Sequence, residues 1–184
     1  MNYQLFHAIN ALAGRWPRID WVMRFAAVQL VFVVFAVAGV LVIHAAMQRQ
    51  IRRLTCFGLS LALAFGLSQG LERLSHEVRP FQSHAVHQLI AHAPGGSMPS
   101  DHATAAFAVA FGALLFLDRR AGLALTAAAV LIGVARVWTG LHYPGDILAA
   151  AAIAGLSAFS VYVTDLGARD VQRRTGLAHL PHAS

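Results

Sequence analysis

The chain has 184 residues, of which 58% are hydrophobic and only 12% charged, and its mean hydropathy is +0.60. A soluble domain carries about 25% charged residues, so this composition excludes a water-solvated globule and makes lipid the principal solvent. The net charge of +6 comes from arginines scattered among the loops, with no lysine and no aromatic interleaving, which argues against a nucleic-acid partner.

In chain order, residues 1–14 lack a basic cluster ahead of an apolar core, so no cleavable signal peptide is expected. Tyr3, Phe6, Ile9 and Ala13 alternate with Asn2, His7 and Asn10 at helical spacing. This predicts a short amphipathic helix in the membrane interface, within an N-terminal segment 1–20; a sixth, partial span is the alternative. Five apolar segments follow, at 21–43, 54–71, 103–117, 122–138 and 147–163. A full span needs about 20 residues, a length only the first exceeds. Five such runs in so short a chain leave no polar shell to bury them, so all five are read as spans. The fold expected is an all-α integral membrane protein, a five-span bundle with an N-terminal interfacial helix.

Residues 1–164 form one domain without repeats or a flexible linker, and 165–184 read as a polar, partly disordered cytoplasmic tail. Residues 72–101 make the one long loop, which ends in Pro94-Gly95-Gly96-Ser97-Met98-Pro99 and so suits a functional segment. With five spans, the loop 44–53, the turn 118–121 and the tail share one side and hold eight arginines. The other side holds Arg15, Arg18 and Arg73 beside the two arginines reserved for chemistry. The asymmetry places the long loop outside the cytoplasm, at the periplasmic or outer face. The lone Cys56 excludes an intramolecular disulfide.

Three clusters carry the ionisable side chains that need a chemical reason to sit at a membrane rim: Arg79-Pro80, Pro99-Ser100-Asp101-His102, and Arg136 with His142 and Asp146. Ser100 occupies an N-cap position before the run 103–117, which is a sufficient structural role. The same helix start offers free N–H groups and a partial positive charge to a phosphate, and Gly96 with its neighbour Gly95 lets backbone approach an anion. Arg79 is biased to extended backbone by Pro80; snorkelling to head groups is its alternative role. Arg136 lies deeper, where snorkelling explains it less well, and two guanidiniums favour bidentate grip on phosphate oxygens. His142 and Asp146 have the spacing of a carboxylate that orients an imidazole, with Pro144 starting the helix between them. A surface pair or a metal site would also accommodate H-x3-D, but two arginines select for an anion. No metal or other cofactor is called for.

Together these stretches resemble the type 2 phosphatidic acid phosphatase superfamily, whose fold is shared with vanadium haloperoxidases. Its pattern K-x6-R-P, P-S-G-H and S-R-x5-H-x3-D is met here by Glu72…Arg79-Pro80, Pro99-Ser100-Asp101-His102 and Ala135-Arg136…His142…Asp146. The variant PSDH, with RPF and GLHYPGD, is similar to bacterial undecaprenyl pyrophosphate phosphatases of the bacitracin-resistance type. The resemblance implies that His142 is the nucleophile, His102 the proton donor and Asp146 the orienting carboxylate. It further implies that Arg79, Ser100 and Arg136 bind phosphate; Ser97 and Gly96 are expected to bind it as well. Glu72 stands where lysine is usual, leaving Arg73 as a substitute, and Ala135 and Asp101 replace serine and glycine. A polyprenyl diphosphate in the bacterial inner membrane is the substrate so implied. A phosphatase of phosphatidate or phosphatidylglycerophosphate, and a non-catalytic lipid-phosphate carrier, are the alternatives.

Overall fold

The computed structural model describes residues 2–174. Eight α-helices follow in order: α1 Asn2–Asn10, α2 Pro17–Val28, α3 Leu30–Met47, α4 Ile51–Leu74, α5 Pro80–Ser83, α6 Asp101–Gly112, α7 Arg119–Trp138 and α8 Pro144–Arg174. A π turn, Ala113–Leu117, extends α6. No strand occurs among the described residues; one extended bridge joins Val78 to Gly96.

The helices bury small residues and turn large ones outward, the reverse of a water-soluble bundle. On α4 the buried stripe is Cys56, Ser60, Ala64 and Ser68, and on α8 it is Ala150, Ala154 and Ala158, each at four-residue spacing. Phe65, Leu148, Leu156 and Phe159 from the same helices are exposed. Small residues on one face let backbones approach closely, so dispersion and not water exclusion holds such helices together in lipid. Helix α6, with Ala103, Ala106, Phe107, Ala108, Val109 and Ala110 all buried, lies at the centre against α4, α7 and α8.

Among the described residues, four helices are long and apolar enough to cross a membrane: α3, α4, α7 and α8. The fifth expected span is the shorter apolar stretch Asp101–Leu117, the central helix itself. The first apolar segment, expected to run unbroken over 21–43, is instead interrupted at Gln29. Helix α2 packs on α7, whereas α3 continues to Met47 and packs on α4 and α6. Helix α8 runs ten residues past the expected boundary at 164, because Asp165 is held by Arg52 and Arg169. The rest of the expected tail, 175–184, lies outside the described residues.

The expected N-terminal helix forms, but its polar residues do not simply face head groups. Phe6 and Asn10 are buried, with the Phe6 ring edge-on to Tyr143. Asn10 Nδ2 donates to the carbonyls of His87 and Trp138, and its Oδ1 accepts from the His87 N–H. Asn2 Oδ1 accepts from the Gly145 N–H at the start of α8. Helix α1 therefore braces the ends of α7 and α8 and the long loop.

At Gly133 and Gly122, neighbouring elements come closest of all to the space a side chain would need. A Cβ on Gly133 would lie 2.4 Å from Ile147 Cγ2, and one on Gly122 would lie 2.3 Å from the Leu114 backbone. We expect Gly122→Ala to lower stability by about 1–3 kcal/mol, as overpacking of a close-packed core does. Thermal unfolding of the detergent-solubilised variant measures it.

Candidate active site

One end of the bundle collects the C-terminal ends of α4 and α7, the N-terminal ends of α6 and α8, and the loop between α4 and α6. Two arms of that loop are tied together: the Val78–Gly96 bridge and the bond from Ser97 N–H to Glu77 O at 2.8 Å. This pairing carries Ser97 inward, where it is 1% exposed, and leaves Arg79 beside it at the rim.

His142 sits in the turn between α7 and α8 and is 1% exposed; Asp146, in the first turn of α8, is fully buried. His142 Nδ1 lies 2.9 Å from the Ser97 carbonyl and 3.3 Å from Asp146 Oδ2. Both are acceptors, so the Nδ1 proton is fixed and the lone pair belongs to Nε2. Asp146 Oδ2 is itself held by the Ser97 hydroxyl and by the Tyr143 N–H at 2.8 Å. Ser97 thus acts twice, through its carbonyl on the histidine and through its hydroxyl on the carboxylate.

Around Nε2 stand the arginines. Arg136 Nη2 is 3.0 Å away and Arg79 Nη1 is 3.4 Å away. Arg136 is 3% exposed, so it does not snorkel; its Nη1 instead donates to the Ala27 carbonyl. Arg79 also approaches Nε2 of His92, a loop histidine whose Nδ1 is taken by the Ala93 carbonyl. The Nε atoms of both arginines, and the Ser100 hydroxyl, are buried without a partner. Ser100 begins α6 but its side chain makes no cap bond, which leaves that hydroxyl unspent. Two guanidiniums at one nitrogen, with buried donors left unpaired on the same side chains and on Ser100, make an anion cradle. His102, in the first turn of α6, lies within electrostatic reach of Arg136, His142 and Asp101.

Burial is the main influence on His142 and lowers its pKa, with the neighbouring arginines adding to the effect and Asp146 opposing it. The imidazole is therefore neutral at pH 7, the form that has a lone pair to give. Burial likewise lowers the Arg79 pKa, which its nearby carboxylates partly restore.

The structure brings together His142, Asp146, Arg79, Arg136, Ser97 and Ser100, with His102 alongside. Gly96 contributes backbone pairing with Val78 and remains exposed. Arg73 is corrected: it is exposed on α4 and joins none of the hydrogen bonds of the cluster. Its neighbour Glu72 is the one turned toward the loop, accepting from Gln69 and lying near Gly96. A helix separates successive side chains by about 100°, so adjacent residues cannot exchange places. Ser97, expected to bind phosphate, instead spends its hydroxyl on Asp146 and its carbonyl on His142. Sequence reasoning also missed the braces Asn2, Asn10 and Asp20, the last accepting from the Trp138 indole at 2.8 Å. No signal for these exists in a chain without its tertiary pairs.

A histidine with one nitrogen pinned and the other faced by two guanidiniums, at the end of a membrane bundle, has the donors and lone pair that suit a phosphate. The chain belongs to the PAP2 superfamily, whose pattern matches residues 53–169. It is 34% identical over 160 residues to undecaprenyl-diphosphatase BcrC of Bacillus subtilis, covering 86% of this chain and 81% of that one. Among solved structures it is similar to Aquifex aeolicus LpxE, with a TM-score of 0.71 at 23% identity, covering 87% and 93% of the two chains. It is also similar to the transmembrane PAP2 type phosphatidylglycerolphosphate phosphatase of Bacillus subtilis, with a TM-score of 0.68 at 20% identity, covering 90% and 86%. The protein is thus a multi-pass PAP2 lipid phosphatase, as the three clusters led us to expect.

Removing the Ser97 hydroxyl takes a donor from the buried Asp146 carboxylate while leaving the carbonyl that holds His142. Hydrogen bonds to charged groups contribute about 1.5–3 kcal/mol. Ser97→Ala is expected to lower kcat by about tenfold to a hundredfold, read as phosphate release from a lipid phosphate.

Proposed function

We propose that the protein hydrolyses undecaprenyl diphosphate to undecaprenyl phosphate and inorganic phosphate, without a metal, at the outer face of the bacterial inner membrane. The observation that carries the mechanism is the disposition of His142. Its Nδ1 is committed to Ser97 and Asp146, and its Nε2 faces Arg136 and Arg79.

The Nε2 lone pair attacks the terminal phosphorus in line with the bond to the bridging oxygen. That bond breaks, and His102 gives a proton to the departing lipid monophosphate. Asp146 steadies the positive charge that develops on the imidazole. Arg79, Arg136, the Ser100 hydroxyl and the α6 N-terminus hold the equatorial oxygens as charge spreads over them. Water, losing its proton to His102, then attacks phosphorus; the P–N bond breaks, and phosphate and neutral His142 are released.

Three observations support the lipid and its side of the membrane. The relative of 34% identity is named for undecaprenyl diphosphate. An apolar cavity of about 260 Å³ starts at Asp101 and Ser68 beside the cradle and runs between α3, α4 and α6 past Phe65 to Phe35, giving room for hydrocarbon next to the phosphate. The arginine-rich turns at the opposite end of the bundle favour the cytoplasm, which leaves the cradle outside.

Phosphate release by purified protein, with undecaprenyl diphosphate and phosphatidylglycerophosphate in competition, tests the substrate. Turnover is expected to persist in EDTA, to favour the polyprenyl substrate, and to fall by at least about a thousandfold in His142→Ala. Retained activity in that variant defeats the mechanism.

The lowered pKa of His142 sets the sign of the pH dependence. Its proton leaves below the ordinary histidine value of about 6.5, so the nucleophile is already neutral at pH 6.5. The acid limb of kcat/KM is expected to fall below that value. For orientation, Ala93→Cys in a Cys56→Ala background is expected to react with an impermeant maleimide from outside intact cells.

A further inference from the structure

The end of the bundle remote from the cradle has chemistry that hydrolysis does not use. Two adjoining cavities open there. One, of about 260 Å³, has the π turn Leu114–Leu117 as one wall and Arg53, Arg119, Tyr162 and Arg169 on the other. The second, of about 380 Å³, adds Arg49 and Arg52 and shares Arg53 and Arg169 with the first.

The charges in these cavities are not balanced. Asp165 is the carboxylate on the site, and it is already spent: Oδ1 accepts from Arg52 Nε, Oδ2 from Arg169 Nη2 at 2.7 Å, and its backbone carbonyl from Arg52 Nη2. Among the described residues, no carboxylate pairs with Arg49, Arg53 or Arg119. Arg53 reaches only the neutral Gln50 amide. Two backbone features shape the same place. Arg49 takes a positive φ of 53°, unusual for a residue with a side chain. A π turn forms the apolar wall, and such turns recur at functional sites. An excess of guanidiniums facing an apolar wall matches one kind of ligand, a phosphate joined to hydrocarbon.

We propose that this end of the protein is a second, non-catalytic phosphate site, taking the phosphodiester head group of an anionic membrane lipid. Arg53 and Arg119 grip the phosphate oxygens, and Leu114, Leu115 and Leu117 lie along the upper part of the chain. Asp165 holds Arg52 and Arg169 as fixed sides of the pocket. In the orientation proposed above, this end faces the cytoplasmic leaflet, whose surface is negative. The inference does not depend on which lipid is hydrolysed at the other end.

The test uses the full chain in nanodiscs of phosphatidylcholine with graded phosphatidylglycerol, reading lipid retention by native mass spectrometry and the melting midpoint. Phosphatidylglycerol is expected to be retained and to raise the midpoint. Arg53→Gln/Arg119→Gln is expected to weaken retention by about tenfold, whereas Arg120→Gln, which removes a nearby charge lining neither cavity, changes it less than about twofold. Melting in pure phosphatidylcholine and phosphatase turnover check that the double variant is folded; should it fail there, Arg119→Gln alone is read the same way. Equal losses in Arg120→Gln and the double variant would reduce the effect to general surface charge and overturn the site. Inorganic phosphate protecting as well as phosphatidylglycerol, through the same arginines, overturns the lipid as occupant.

Discussion

The geometry of the polar cluster depends on which nitrogen of His142 carries the proton. The Ser97 carbonyl and the Asp146 carboxylate settle it, since both accept and neither can give. A carboxylate buried this completely is costly unless its oxygens are satisfied, and the Ser97 hydroxyl and Tyr143 N–H supply two bonds to Oδ2. The opposite oxygen, Oδ1, has no partner. The loop that reads as punctuation in the sequence is therefore a structural part of the His142–Asp146 pair. Its position in turn depends on the bridge between Val78 and Gly96 and on the bond from Ser97 to Glu77.

The bundle beneath this pair is organised by size more than by polarity. Four-residue stripes of alanine, serine and cysteine set the helices close, while leucines and phenylalanines meet the lipid. That rule places α6 at the centre, although it is the shortest apolar helix of the bundle. Its N-terminus consequently opens beside Arg136 and His142, where an anion profits from the helix end. The fold thus delivers a positive rim from backbone and side chains together.

Much of this was legible in the residues, for identifiable reasons. His142 and Asp146 are neighbours along the chain, and their geometry follows from a proline-started helix. Arg79, Ser100 and Arg136 stood out because polar groups are scarce in an apolar chain. What was not legible depends on pairs distant in sequence. Asn10 looked like the wet face of an interfacial helix, yet it is buried and bonded to residues 77 and 128 positions away. Arg73 looked like a substitute cation because only its distance along the chain was visible, not its side of α4. The interruption at Gln29 gave no sign either, since an apolar run continues across it.

The brace from Asn2 to Gly145 has a consequence for biogenesis. The partners lie 143 residues apart, so the second leaves the ribosome well after the first. During insertion, a nascent chain holds Arg79 and His102 at the membrane for about 2–8 s before His142, 40 residues further on, has been made. The cluster around His142 therefore closes late, when the helix that starts at Pro144 docks. Fragments that stall before it lack the His142–Asp146 pair.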